Sequence, residues 1–173
     1  MSTLYNNNPN SNYAGDFSYT GTDLETGQSF KSSGTFTLKE VSFYMKKLGT
    51  PTGSLTAKIY AHSGTFGTSS VPTGSPLAIS DSVDITTLGT SSADVLFNFS
   101  GVNQILLTSG TDYVVTVYGN GSLSAVFVGR GGSVAGNRCF YNFSTFLWSA
   151  SAVDQLYKIY GEGEAISNNS GAF

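Results

Sequence analysis

Apolar and polar residues alternate with a period of two along most of this chain. In FTLKEVSFYMKK, residues 36–47, Val41, Phe43 and Met45 alternate with Ser42, Tyr44 and Lys46. That is the period of a half-buried strand, whose side chains point to opposite faces in turn. Phe36 and Leu38 fall on the other parity, so the pattern predicts a one-residue bulge near Lys39–Glu40. LTAKIYA, residues 55–61, sets Leu55, Ala57 and Ile59 against Lys58 and Tyr60. VLFNFS, residues 95–100, groups Val95, Phe97 and Phe99. DYVVTVYG, residues 112–119, places Tyr113, Val115 and Val117 on one face and Val114, Thr116 and Tyr118 on the other. SAVFVGR, residues 124–130, and QLYKIYGEG, residues 155–163, repeat the style. Burying each large inward side chain contributes roughly 1.5–3 kcal/mol.

Turn signals separate these runs: GTPTG at 49–53, LGTSS at 88–92, TSG at 108–110, GNG at 119–121 and GG at 131–132. Proline sets φ at a turn corner and glycine supplies positive φ. No window of about 12 residues shows the roughly 3.6-residue period of a helix. Short strands at even spacing, each with one wet and one dry face, predict an all-β antiparallel β-sandwich, jelly-roll-like, in a single domain. The boundaries expected are an N-terminal arm over 1–15, the sandwich over 16–163 and a C-terminal tail over 164–173. The Asn-rich arm and polar tail either fray or order against a neighbouring subunit, with Tyr5, Tyr13 and Phe173 as interface anchors.

Composition narrows the classes of function. Charged residues are 11% of the chain, against roughly 25% in ordinary domains. Serine and threonine make up about a quarter of the chain, and glycine contributes 21 residues. The hydrophobic fraction of 39% still supplies a core. The net charge of −3 without a basic stripe excludes nucleic acid as the expected partner. The N-terminus MSTLYNNNPNSNYAG lacks the basic and apolar regions of a secretory signal, and no apolar run approaches the roughly 18 residues of a membrane span. Synthesis in a cytoplasm without membrane insertion is the expectation. The N-x-Ser matches at Asn98, Asn120, Asn142 and Asn168 then read as chance in a Ser-rich chain.

Candidate chemistry is sparse. His62 is the sole histidine, in AHSGTFGTSSVPTGSPLA, residues 61–78. It reads as a strand-end residue at a long connection closed by VPTGSP, because no nucleophile-elbow motif accompanies it. Cys139 beside Phe140 and Tyr141 reads as a half-buried strand residue, and one His with one Cys cannot fill a zinc site. The carboxylate pairs Asp23/Glu25 and Glu162/Glu164 have same-face spacing, and a retaining glycosidase needs such a pair about 5 Å apart with one member buried, but among Gly and Thr they read as solvated edge charges. A calcium site from Asp16, Asp23 and Glu25 lacks the loop that gathers 6–8 oxygens. The expectation is therefore no enzyme, no catalytic residue, no metal and no cofactor. Outward aromatics remain: Tyr44, Tyr60 and Tyr118 on wet-face parities, and Trp148 in FLWSAS. They would either pack a face or interface, or stack on a sugar ring. Arg130 and Arg138 flank the Gly-rich, hairpin-like GRGGSVAGNR, either as turn-holding donors or as a ligand loop.

Several segments together carry a resemblance. They are GQSF at 27–30, VSFYMKK at 41–47, PTG at 51–53, AKIY at 57–60, VPTGSPLA at 71–78, LTSGTDY at 107–113 and YKIYG at 157–161. Over roughly residues 20–163 the chain resembles a recurrent β-sandwich module of tailed-bacteriophage virion proteins and of some bacterial surface proteins. The resemblance implies a jelly-roll-like sandwich displayed on a particle, with no catalytic residues to carry over. Because the module is nearly the whole chain, it implies a small virion accessory subunit, such as a capsid decoration protein or a fibre or tail-associated head. It further implies contact with other virion proteins of the capsid or tail lattice. Assembly as a homo-oligomer, trimer or dimer, would cover sheet edges and raise avidity. The alternative is a carbohydrate-binding adhesion module recognising host-surface glycans.

Overall fold

The computed structural model describes residues 1–9, 13–19, 23–123, 126–132 and 134–163. Phe173 and Glu164 lie outside them. The described residues form an all-β sandwich of two antiparallel sheets packed against each other. The strands are β1 (Thr3–Asn8), β2 (Tyr13–Tyr19), β3 (Asp23–Lys31), β4 (Phe36–Lys47), β5 (Thr52–Ser63), β6 (Val71–Ile79) and β7 (Val83–Asp84). They continue as β8 (Ala93–Asn98), β9 (Leu106–Leu107), β10 (Asp112–Ser122), β11 (Val126–Gly131), β12 (Arg138–Asn142), β13 (Leu147–Ser151) and β14 (Tyr157–Gly163). The first sheet runs β1-β14-β4-β11-β2, with β8 and β9 also paired to β4. The second runs β13-β12-β3-β10-β5-β6, with β7 also paired to β5.

The alternation seen along the chain becomes the core between the sheets. Val41, Phe43 and Met45 of β4 and Phe97 of β8 meet Leu55, Ala57 and Ile59 of β5 and Val115 and Val117 of β10. The predicted bulge in β4 is present. Glu40 pairs with Tyr160 and Leu38 with Gly161, so Lys39 is the extra residue. Inserting it returns Phe36 and Leu38 to the inner face, where both are fully buried.

Four expectations change. Most of the N-terminal arm is strand: β1 pairs with β14, and β2 pairs with β11. The Tyr5 ring stacks on Phe36 at 3.8 Å, so this aromatic packs on the chain's own core. Asn8 is buried and donates from Nδ2 to the carbonyls of Gly131 and Gln155, at 2.8 and 3.1 Å. Asn8→Ala will leave both acceptors without this donor and cost about 1–3 kcal/mol, measurable by urea unfolding.

VPTGSP lies inside β6, and the connection from β5 is shorter, spanning residues 64–70. Pro72 and Pro76 are tolerated there because β6 is an edge strand. Its register jumps from Ala78 opposite Ile59 to Thr73 opposite Ala61, so residues 74–77 bulge out. GRGGSVAGNR is a crossover, since β11 belongs to the first sheet and β12 to the second. Finally, β10 has no wet face over its centre. Val114 and Thr116, on the outward parity, are as buried as Val115 and Val117. The second sheet curls until Cα atoms of its terminal strands β13 and β6 come within 8 Å of each other. Its outer face is therefore concave and covers itself.

Candidate functional site

The curled face assembles from registers that only pairing creates. Val114 pairs with Tyr60, Thr116 with Lys58, and Thr116 also with Gly27. Tyr118 pairs with Glu25, Cys139 with Gly27, and Tyr141 with Trp148. Directly opposed residues share a face, so these side chains line one surface. Tyr60, Val114 and Cys139 form a small second core there, with Val71 and Trp148 packed against it.

An aromatic strip follows. Tyr60 meets Trp148 edge-on at 6.1 Å, and Trp148 meets Tyr141 at 5.2 Å. Tyr141 meets Phe143 at 4.8 Å, and Phe143 meets Tyr118 at 6.5 Å. An ion pair joins the ends of this chain of rings. Lys58 Nζ sits 3.9 Å above the Tyr118 ring and 3.2 Å from Glu25. Glu25 Oε1 also accepts from the hydroxyls of Tyr60 and Thr116, both at 2.9 Å. Burial, and then the Glu25 charge, push the Tyr60 phenol well above its ordinary pKa, so it stays a donor. The carboxylate is thus saturated with donors, which suits a brace for the rings better than an acid or base.

The turn between β12 and β13 extends the strip. Asn142 Oδ1 accepts from the backbone N–H of Ser144 and of Thr145, and Phe146 N–H donates to Asn142 O at 2.7 Å. The turn holds Phe146 at φ 58°, the one non-glycine residue at positive φ among those described. Such a conformation costs on the order of 1–3 kcal/mol and tends to mark functional sites. The Phe146 ring is 72% exposed, and its neighbour Leu147 is also exposed. Tyr118, Tyr141, Phe143 and Trp148 are half-buried. The strip is thus partly wet, and the turn beside it carries an exposed phenylalanine.

Of the four expected ligand-facing aromatics, Tyr60, Tyr118 and Trp148 come together on this face. Tyr60 is only 6% exposed, so it supports the strip and does not offer a ring to solvent. Tyr44 belongs to the first sheet, where Tyr13 packs edge-on against it at 5.6 Å. Tyr13 donates to Asp16, which also pairs with Lys46 at 2.6 Å. Sequence reasoning missed Tyr141, Phe143 and Phe146. The signal available was FYNFSTFLW, residues 140–148, an aromatic-rich hairpin with an Asx-turn residue, Asn142, where its turn begins.

The remaining candidates resolve individually. His62 lies at the end of β5, as its sequence setting predicts, and its Nε2 lies 2.9 Å from Ser70 Oγ. That hydroxyl is fully buried, donates to Thr65 O and accepts from Gly67 N–H. It closes the 64–70 connection. Cys139 is fully buried, more so than the half-buried reading, and burial pushes its thiol well up. Glu25 is a buried, paired charge and not a solvated edge charge. Glu162 bonds to Lys39 at 3.2 Å. Asp16 on β2 and Glu25 on β3 stand on different sheets, so the calcium trio is not gathered. Among the described residues no group of three or more His, Cys, Asp or Glu could hold a metal. Arg138 is buried and donates from Nε to Thr26 Oγ1 at 3.1 Å, while Arg130 lies against Gly15 of β2. Among the described residues no helix is long and apolar enough to cross a membrane.

Comparison with protein-family models, with characterised proteins and with solved structures finds no match to this chain.

Proposed function

We propose that the chain is a non-enzymatic recognition subunit of a phage particle, whose curled second sheet contacts host-surface glycan. The observation that carries this reading is the aromatic strip of Tyr118, Phe143, Tyr141 and Trp148, leading to exposed Phe146. Half-buried rings on a rigid sheet offer flat apolar area at little entropic cost, and the Glu25–Lys58 brace keeps them in place. The C–H face of a sugar ring is a complementary shape. The virion setting rests on the sequence resemblance. Single-site affinity on such a surface is weak, so several copies on one particle would raise it through avidity.

A glycan array probed with the protein displayed multivalently tests this. Hits are expected, and Trp148→Ala or Phe146→Ala will weaken them at least about tenfold, since anchor aromatics contribute on the order of 2 kcal/mol. Phe127→Ala, on the outer face of the first sheet, will leave them unchanged. An array without hits overturns the glycan assignment.

One further feature favours lattice contact as a second role. The edge of the first sheet at β1 carries no proline or lysine, and Leu4 on it is exposed. Sheet edges invite pairing with another chain, and here only a bulge at Leu4–Asn6 and the bonds of Tyr5 and Asn6 to residues 31–33 interrupt the edge. Leu4→Lys is expected to lower co-purification with particles while leaving glycan hits in place.

A further inference from the structure

Between the sheets, at the end where Asn8 enters, lies a buried polar cluster that the glycan face does not use. Thr26 of β3 and Gln155, just before β14, are both fully buried, and Thr26 Oγ1 lies 3.2 Å from Gln155 Oε1. The backbone of Gln155 is held on both sides. Its N–H donates to Gln28 Oε1 at 3.0 Å, and its carbonyl accepts from Asn8. Gln28 is in turn fixed by Asp154, at 2.7 Å. Arg138 Nε donates to Thr26 Oγ1 at 3.1 Å, so the hydroxyl proton is turned to its two acceptors, the Cys139 carbonyl at 3.1 Å and Gln155 Oε1. Gln155 Nε2 is buried and meets no acceptor among the described residues. A buried amide NH2 without a partner is costly and calls for an explanation.

We propose that Thr26 and Gln155 join as an intramolecular ester. Thr26 Oγ1 adds to Gln155 Cδ, and its proton passes to Oε1 and then to Nε2. The Cδ–Nε2 bond breaks and ammonia leaves. One C–O bond forms, one C–N bond breaks, and nothing is oxidised or reduced. The group lost is the one without a partner. Release of ammonia into bulk solvent draws the step forward, and full burial of both side chains shields the ester from hydrolysis. The link spans 129 residues of sequence. It ties β3 of the second sheet to the entry of β14 in the first. Closing so long a loop constrains the unfolded chain, which suits a domain exposed on a particle.

Intact-mass spectrometry of the folded protein after prolonged incubation tests this. The wild type is expected to be lighter than its sequence by the mass of one ammonia. Thr26→Val and Gln155→Ala should each show the full mass of their sequences, and Thr26→Ser should regain the loss. Succinimide formation at Asn120–Gly121 also releases ammonia, so the digest decides between them. The ester requires one cross-linked peptide containing both Thr26 and Gln155, separable by hydroxylamine. A wild type at full mass, or a wild-type digest without the Thr26–Gln155 cross-linked peptide, overturns the proposal.

Discussion

Glu25→Ala will destabilise the sandwich by about 3–5 kcal/mol. The carboxylate is 7% exposed, and its partners are all on the curled face: Lys58, Tyr60 and Thr116. Removing it leaves the Lys58 ammonium in a poorly hydrated place, with the face of Tyr118 as the neighbour still in contact. Two hydroxyl donors lose their acceptor as well. An uncompensated buried charge costs far more than the net value of the pair that contained it. Replacing both members, as Glu25→Leu with Lys58→Met, will recover the part due to the unpaired charge, while the Tyr60 and Thr116 hydroxyls still lack their acceptor. Urea unfolding of the single and double variants measures both. A loss under about 1 kcal/mol for Glu25→Ala would mean that the pair is solvated after all. Glycan binding should fall with the single variant even where the fold survives, because the brace of the strip is gone.

The second large effect lies across the sandwich. Gly161→Ala will cost about 3 kcal/mol, at the upper end of overpacking. A Cβ there would sit 2.1 Å from Phe36 Cδ2 and 2.6 Å from the Thr37 carbonyl oxygen. The Phe36 ring cannot simply retreat, because Tyr5 stacks on it at 3.8 Å. Tyr5 itself lies over Gly34. Phe36→Leu combined with Gly161→Ala will restore part of the loss, and a double-mutant cycle gives the coupling. Gly89→Ala, whose nearest atom would be 3.4 Å away, is the control and should change stability by less than about 1 kcal/mol. Equal effects at the two glycines would refute the packing argument. Gly161 closes YKIYG, one of the segments that carry the sequence resemblance, and the Phe36 contact gives that glycine a physical reason.

Much of the fold is legible along the chain. The inward set of β4, β5, β8 and β10 follows from parity alone, and so does the bulge at Lys39, because a strand that changes parity must gain a residue. The N-terminal strand was hidden, since TLYNNN has too few apolar residues to look like anything but an arm. Tyr5 and Asn8 fix it in place, the one stacked on Phe36 of β4 and the other bonded to Gly131 of β11 and to Gln155. The candidate site was half legible. Tyr60, Tyr118 and Trp148 stood out as outward aromatics, yet nothing local says that they converge while Tyr44 does not.

What the sequence determined by itself was the class: period-two alternation cut by Gly and Pro turns admits little besides antiparallel sheets with a shared core. Which outward residues meet was decided only by tertiary structure. Strand order and sheet curl are long-range choices, set by which strands pair and not by the residues next to each one. They turned the outward parity of β10 from a wet face into a buried one. They placed Glu25 beside Lys58, 33 residues away, and gathered the rings of four strands on one concave face.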